Sequence, residues 1–439
     1  MIALALLLLV QDTTRLTLTD AVNRALARYP QVAAARAARD HATADLGASR
    51  AALLPRLSFD GSLTRFDQPM LVLPLHGFPT GPGATLPLFD RTLVQGYLSA
   101  SYTLYDFGQR HARIRAAELS DRAADAAVGA AEQTVIARAA TGYLDVLTAR
   151  GVLEAQDEQL AALAAESTRT ASLLAEGKAA RVDVLRVEAE LGRSRADRIA
   201  TLSQLDVAEH NLAQLTDLPY DTVHAARFSN VALADTALPT RDALMDAARG
   251  ASPVLLESRR KSEAAAAAAG VARSTRFPQL QLLGRYVDNG RAAGNFEAEW
   301  QAGVGVSWPL FTGGARASEI RRSDADARAA ALQLQLADLG VGTDLDRTLA
   351  QLREARARIV ALQDAVAQSV EVERIERLSL DVGSGTQTDF LIAEASLLSA
   401  RASLVEAHHA ALTARIELAR LTGELSPDWL AHALVEPNP

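Results

Sequence analysis

One half of this chain repeats the plan of the other, and that duplication limits the possible folds more than any single motif does. Tyr29-Pro30 recurs as Ser252-Pro253, and Leu54-Pro55-Arg56-Leu57 recurs as Phe277-Pro278-Gln279-Leu280, both displaced by 223 residues. Leu104-Tyr105-Asp106-Phe107-Gly108-Gln109-Arg110 matches Leu310-Phe311-Thr312-Gly313-Gly314-Ala315-Arg316, displaced by 206. The 206 offset then holds without a gap through Gly177 and Gly383, Asp183 and Asp389, and Leu215-Thr216 and Leu421-Thr422. The offsets differ by 17, which is one insertion between Pro55 and Leu104.

Proline marks the plan. None occurs between Pro87 and Pro219, or between Pro309 and Pro427. Each proline-free span reads as two long helices with a glycine break: about 109–176 and 183–216, then about 315–382 and 389–422. A helix from 109 to 176 would be roughly 100 Å long. After the second break Leu391, Ala395, Leu398, Ala402, Val405, His409, Leu412 and Ile416 alternate spacings of four and three. That is the spacing of a coiled-coil seam, and its alanines allow close helix approach.

Ahead of each long helix lie two segments with period-two alternation, the signature of strands with one apolar and one polar face. They are read at about 56–66 and 93–104, and at about 279–287 and 298–310. On the apolar side stand Leu98, Ala100 and Tyr102 in the first half and Trp300, Val304, Val306 and Trp308 in the second. Trp300 and Trp308 share a parity eight residues apart, so about 26 Å along a strand. With a tilt of ~40° that leaves roughly 20 Å, close to the apolar band between the aromatic girdles of an outer-membrane barrel. Leu98, Ala100, Val304 and Val306 are then lipid-facing, with Trp300, Trp308 and Tyr102 in the aromatic belt; the other reading of the same alternation is a soluble β-hairpin packed on the helices. Four strands cannot close a membrane barrel, so several chains would have to pool them.

Composition removes other classes. The chain of 439 residues carries a net charge of −8 and has no cysteine, which excludes disulfides, thiolate chemistry and an N-terminal lipidated cysteine. A pI near 5.6 argues against nucleic acid as a partner. Beyond Met1–Val10 no run approaches the ~18 apolar residues of a membrane helix. Met1–Val10 itself reads as the apolar core of a secretory leader, with 1–12 as the segment removed, although no basic residue precedes it. The remaining plan is a first repeat at 13–216, a linker at 217–240, a second repeat at 241–423 and a tail at 424–439.

The paired Leu54-Pro55 and Phe277-Pro278 strand starts carry a family resemblance. So do the Leu104–Arg110 and Leu310–Arg316 turns, and the breaks Glu176-Gly177…Val182-Asp183-Val184-Leu185 and Val382-Gly383…Thr388-Asp389-Phe390-Leu391. In that order, from about Leu18 to Gly423, the chain resembles the TolC-type outer-membrane efflux and secretion channels. The resemblance implies a mainly α fold with membrane β: a homotrimeric twelve-stranded β-barrel in the outer membrane of a Gram-negative bacterium, continued by a periplasmic α-helical coiled-coil barrel. The linker and tail would form an equatorial girdle. Its partners would be outer-membrane lipid, a periplasmic adaptor (membrane fusion) protein and an inner-membrane RND or ABC transporter, for which the duct is a passive exit. The turns at Gly177, Gly383 and Gly385 would meet the adaptor. Asp389 would belong to an acidic ring narrowing the lumen. The resemblance is partial there, because Ile392 stands where a second acidic residue is often found and Gly385 where an arginine can occur. Asp183, its repeat equivalent, reads first as a helix-capping residue and second as a lumen residue.

No motif points to catalysis, a cofactor or a metal. Gly303-Val304-Gly305 lacks a third glycine and a following βα pattern, and His408-His409 with Glu406 lacks zinc spacing. Gly383-Ser384-Gly385 is too short for a nucleophile elbow. His409 falls in the seam and reads as a packing histidine, and the acidic and arginine residues along the helices mostly read as solvated faces with i,i+4 pairing. The insertion at Asp67–Arg91, with five prolines, reads as an irregular outer loop that narrows the mouth or merely touches its neighbours; Asp288–Glu297 reads as its smaller counterpart. A soluble coiled-coil scaffold or a periplasmic adaptor protein remains the alternative, although neither explains duplicated strand pairs.

Overall fold

The computed structural model describes residues 15–71, 82–83, 89–233, 239–291, 294 and 296–435. The leader read at 1–12 lies outside them, as do Val72, Leu73, Leu75 and Phe78 of the inserted loop. The first half holds β1 (Arg15–Leu16), α1 (Leu18–Arg28), α2 (Pro30–Ala51), β2 (Arg56–Leu71), β3 (Phe89–Tyr105), α3 (Gln109–Ala175) and α4 (Arg181–Thr216). A connection carries α5 (Tyr220–Ala225), β4 (Arg227–Phe228) and β5 (Ala232–Leu233). The second half holds α6 (Arg241–Ala251), α7 (Pro253–Ser274), β6 (Gln279–Arg291), β7 (Phe296–Ser307), α8 (Ala315–Asp381) and α9 (Gln387–Thr422). Last come α10 (Pro427–Ala433) and β8 (Leu434–Val435).

Equivalent helices have equal lengths: 11 residues for α1 and α6, 22 for α2 and α7, 67 for α3 and α8, 36 for α4 and α9. The same local signals start and stop them. Thr17 and Thr240 are equivalent N-caps, accepting the Asp20 N–H at 3.0 Å and the Ala243 N–H at 3.4 Å. Asp106 and Thr312 are equivalent too, accepting the Arg110 and Arg316 N–H groups that open α3 and α8. At the far ends of α4 and α9 the chain turns left-handed at Asp217 and Gly423. A Cβ at Gly423 would lie 2.3 Å from the Ala251 carbonyl oxygen, so only glycine fits there.

The chain divides into two compact units, to which α3 and α8 each contribute both ends. In the unit formed by Ala38–Ala124 and Ser258–Leu334, the hairpins β2–β3 and β6–β7 join through β3–β6 into one antiparallel four-stranded sheet. Helix α2 is tied to α3 by Arg50–Glu118 at 3.0 Å, and α7 to α8 by Arg273–Asp324 at 2.6 Å, the same bridge in each repeat.

The strands correct the sequence reading at their ends. β2 and β3 run past 66 and before 93, so Asp67–Leu71 and Phe89–Arg91 are strand and not loop. Pro69 is accommodated because the β2–β3 register shifts between Arg65 and Met70, and a bulge needs no N–H from it. Likewise residues 288–290 pair with 296–298 across β6 and β7, and Arg291 pairs with Leu93 of β3. At its other end β7 stops at Ser307, so Trp308 lies just beyond the strand, where Pro309 follows.

The other unit contains the helical cores. Leu18, Ala21, Val22 and Ala25 of α1 pack with Tyr143, Leu144 and Leu212. Leu244 of α6 packs with Leu345, Leu349, Leu352 and Leu418. Tyr143 is fully buried, and its hydroxyl accepts the Ser229 N–H at 2.8 Å while lying 2.9 Å from the Leu16 carbonyl oxygen. That pins the parallel pair β1–β4 onto α3; β5 pairs antiparallel with β8. Among the described residues no helix is long and apolar enough to cross a membrane.

The seam of α9 is also corrected. Along its first half the buried positions are Gln387, Phe390, Ala393, Glu394 and Leu397, the last four one or two residues from the expected Leu391, Ala395 and Leu398. The expected stripe holds toward the end, at Leu412 and Ile416. His409 packs as read: its Nδ1 lies 2.5 Å from the Thr148 hydroxyl, and burial beside His408 pushes its pKa down to about 4.

Candidate functional site

The sheet brings the four alternating patterns into register. Phe59, Leu98, Tyr286 and Trp300 form one rung across β2, β3, β6 and β7, and Leu57, Ala100, Gly284 and Ala302 form another. Tyr102, Leu282 and Val304 continue the same face. Successive side chains of a strand point to opposite faces, so this register puts nearly every large apolar side chain on one side. The opposite side carries rungs such as Ser58, Ser99, Arg285 and Gln301, with the Arg285 guanidinium 4.3 Å from the Tyr97 ring. The apolar face is bare: Trp300 is 76% exposed, Phe59 73%, Val306 69% and Val304 61%. Leu98, Ala100 and Tyr102 are exposed as well, on a central strand. Trp308, although past the strand end, donates its indole N–H to the Arg276 carbonyl at 3.1 Å. β2 and β7 each have a free edge.

The second constellation is the pair of helix turns. After α3, Gly177 adopts φ 74° and Lys178 donates its N–H to the Leu173 carbonyl at 2.8 Å. After α8, Gly383 adopts φ 77° and Ser384 donates to the Ser379 carbonyl at 2.9 Å. These are glycine-terminated ends, repeated. Gly385 serves differently, since a Cβ there would meet Ser379 Cβ at 2.9 Å. Asp183 accepts the Ala180 N–H at 3.2 Å and lies 3.5 Å from Arg186. Asp389 donates its N–H to the Thr386 hydroxyl, which in turn donates to Asp389 Oδ2 at 2.6 Å. Both aspartates thus sit in the third position of their helix, Asp389 in a reciprocal pair with Thr386 and Asp183 as a one-sided cap on the Ala180 N–H. Arg186 reaches the Thr388 hydroxyl at 3.1 Å, and Arg169 reaches Asp381 at 3.2 Å, linking the two turns. Val182, Leu185, Val382 and Ile392 stand exposed around them.

Not all acids lie on solvated faces. Glu166, Glu209 and Glu394 are buried, exceptions to the mostly solvated faces read from the sequence. Glu209 takes Arg150 at 2.6 Å and His224 Nδ1 at 2.7 Å. Glu394, on α9, shares Arg377 of α8 with Glu373: Nη2 lies 3.0 Å from Glu394 and 2.6 Å from Glu373. The guanidinium also lies over the Phe390 ring at 5.1 Å. Burial, then the Glu373 charge, pushes the Glu394 carboxyl up to about 7 against the pull of Arg377. The signal that could have found it is its place among Phe390, Ala393 and Leu397, on a stripe of apolar residues.

Comparison with known proteins agrees with this architecture. The outer membrane efflux protein family matches residues 21–217 and 244–424. Outer membrane protein TolC of Vibrio cholerae is 25% identical over 418 residues, covering 93% of this chain and 91% of that protein. Outer membrane efflux protein BepC of Brucella suis is 25% identical over 347 residues, covering 76% and 73%. Among solved structures, the CmeC outer membrane channel of Campylobacter jejuni superposes with a TM-score of 0.81 at 17% identity, covering 93% of this chain and 85% of that one.

Proposed function

This chain belongs to the outer membrane efflux protein family, and on that premise we propose that three copies form one exit duct through the outer membrane and the periplasm. The observation that carries the reading is the four-stranded sheet with one bare apolar face and two free edges. Unpaired edge N–H and C=O groups are not tolerated in hydrocarbon, so four strands cannot span a bilayer alone. Three copies supply twelve strands, an even number within the range of bacterial barrels. Helices from both repeats would continue the duct, and cargo would pass without chemistry, the chain being no enzyme. A periplasmic adaptor would dock at the turns of Gly177, Gly383 and Gly385, where Val182, Leu185 and Val382 offer apolar contact, and an inner-membrane RND or ABC transporter would feed the duct. Outer-membrane fractions should yield heat-resistant trimers that conduct in planar bilayers. Recovery as a soluble periplasmic monomer would favour the scaffold or adaptor reading instead.

Within the duct, the three Asp389 carboxylates form the lumen ring, favouring cations because like charges at a constriction focus the field. Asp183 remains a capping residue. Asp389→Asn should lower cation selectivity and divalent block in planar bilayers, while Asp183→Asn should leave both intact. If Asp389→Asn lowers only thermal stability, its bond to Thr386 is its whole role and the gate lies elsewhere.

A further inference from the structure

We propose that adjacent copies join through β7 of one chain and β2 of the next in a register copied from the chain's own β3–β6 junction: Val304 opposite Leu63, Gly305 opposite Ser62 and Val306 opposite Gly61. This rests on the trimeric reading above and adds to it the residue-by-residue fit of the edges.

The duplication supplies the argument. Within the first hairpin Leu57 pairs with Ala100 and Leu63 with Val94. Moved forward by the two offsets of the repeat, 223 for β2 and 206 for β3, these become Leu280 with Val306 and Tyr286 with Trp300. Both pairs are present in the second hairpin. The offsets therefore carry pairing, as well as sequence, from one repeat to the other. The sheet is two equivalent hairpins joined once, through β3 and β6.

A three-fold ring repeats one junction between chains, and the duplication offers the β3–β6 junction as its template. β7 is the counterpart of β3, and β2 the counterpart of β6. In the chain, Leu98 pairs with Tyr286, Ser99 with Arg285 and Ala100 with Gly284. Carried forward by 206 and back by 223, these become Val304 with Leu63, Gly305 with Ser62 and Val306 with Gly61.

An independent requirement is met. Val304 and Leu63 both belong to the apolar face, and Gly305 and Ser62 both belong to the other. A slip of one residue would set apolar against polar side chains along the whole boundary. The side chains to be brought together are also among the barest of the sheet, with Leu63 73% and Val304 61% exposed against 42% for Leu98 on a central strand. The pairs chosen lie below the irregularity between Arg65 and Met70, where β2 keeps a regular register.

The chain has no cysteine, so introduced thiols report this register cleanly. Cα atoms of antiparallel partners lie about 4.5–5.5 Å apart, inside the span of a disulfide. A two-residue slip adds about 6–7 Å along the strand and takes them out of reach. Within one chain β2 and β7 lie three strand spacings apart, about 14 Å, so only neighbouring copies can be bridged. Gly305 has room for a thiol, its nearest neighbour being the flexible end of Leu283 at 3.5 Å.

The experiment oxidises membranes bearing Ser62→Cys with Gly305→Cys, Leu63→Cys with Val304→Cys, or the slipped pair Ser62→Cys with Gly303→Cys. Samples are then denatured and run without reductant. Both matched pairs should give covalent trimers, and the slipped pair should give at least tenfold less. Cross-linking of the slipped pair in preference to the matched ones would overturn the register while leaving the trimer standing. Absence of heat-resistant trimers in the cysteine-free parent would instead overturn the trimeric reading. Each single-cysteine variant, tested for heat-resistant trimer, separates misfolding from a wrong register.

Discussion

Replacing Glu394 with glutamine should make this protein more stable at pH 8 while leaving its stability at pH 4, below the ordinary carboxylate value, unchanged. Glu394 faces Glu373 and Arg377 of α8, with Glu166 and Arg169 of α3 and Asp381 close to the same cluster. With its carboxyl pushed from an ordinary 4.5 to about 7, the folded chain holds a proton that the unfolded chain releases. A raised carboxyl is stabilising below the unfolded value, and its contribution is lost as pH climbs through the folded value. The window is therefore pH 4.5 to 7. The full shift corresponds to ~3 kcal/mol, and some of it is recovered when Arg377 moves toward the second charge. Glutamine keeps the shape and the acceptor for Arg377 but cannot ionise. Guanidinium denaturation at pH 4, 5, 6, 7 and 8 should show the two proteins equal at pH 4, diverging from pH 5 upward, and the variant ahead by about 2 kcal/mol per chain at pH 8. If the wild type instead gains on the variant as pH rises, Glu394 is held as a carboxylate by Arg377, and the reasoning fails.

Three further outcomes follow from the sheet and the helix ends. Val304→Arg should cost ~2–4 kcal/mol of insertion into liposomes, and Ser101→Arg on the opposite face markedly less, read by folding titrations in urea. Asp217→Gly should raise stability by roughly 0.5–1 kcal/mol, because a non-glycine residue is left-handed there at φ 53°. Gly423→Ala should cost more than ~2 kcal/mol, since its Cβ collides with the Ala251 carbonyl; thermal melts of both variants check the pair.

The duplication made the elements legible, because each half corrects the other: a weak strand signal in Leu57–Leu63 gains from the stronger one in Leu280–Tyr286. Alternation also put Trp300, Val304 and Val306 on one face, and the structure leaves that face bare. Strand ends were another matter. Pro69 and Asp288 are turn-prone in isolation, yet cross-strand pairing with Asp90, Gly96 and Ala298 carries β2 and β6 beyond them. Local preference decides where a strand can start more reliably than where pairing stops extending it.

The same division between local and distant causes runs through the sites. Gly177 and Gly383 were readable because a helix end that turns left-handed favours glycine whatever surrounds it. Glu394 was readable only as a position on the stripe of Phe390, Ala393 and Leu397; its proton was not, because that depends on Arg377, 17 residues away, and on which face of α9 meets α8. The expected seam through Leu391, Ala395 and Leu398 lies beside the true one, since α9 packs on more than one side and a single period of four and three cannot describe two contacts. Phe107 and Asp217 are the instructive intermediate. Neither residue type announces a left-handed turn, yet Gly313 and Gly423 occupy the equivalent places in the second repeat and share that conformation. A backbone demand hidden in one copy was therefore written openly in the other. Reading glycines across the 206 offset would have located both turns without any structure, whereas no comparison of repeats could find Glu394: its equivalent, Glu188, lies exposed.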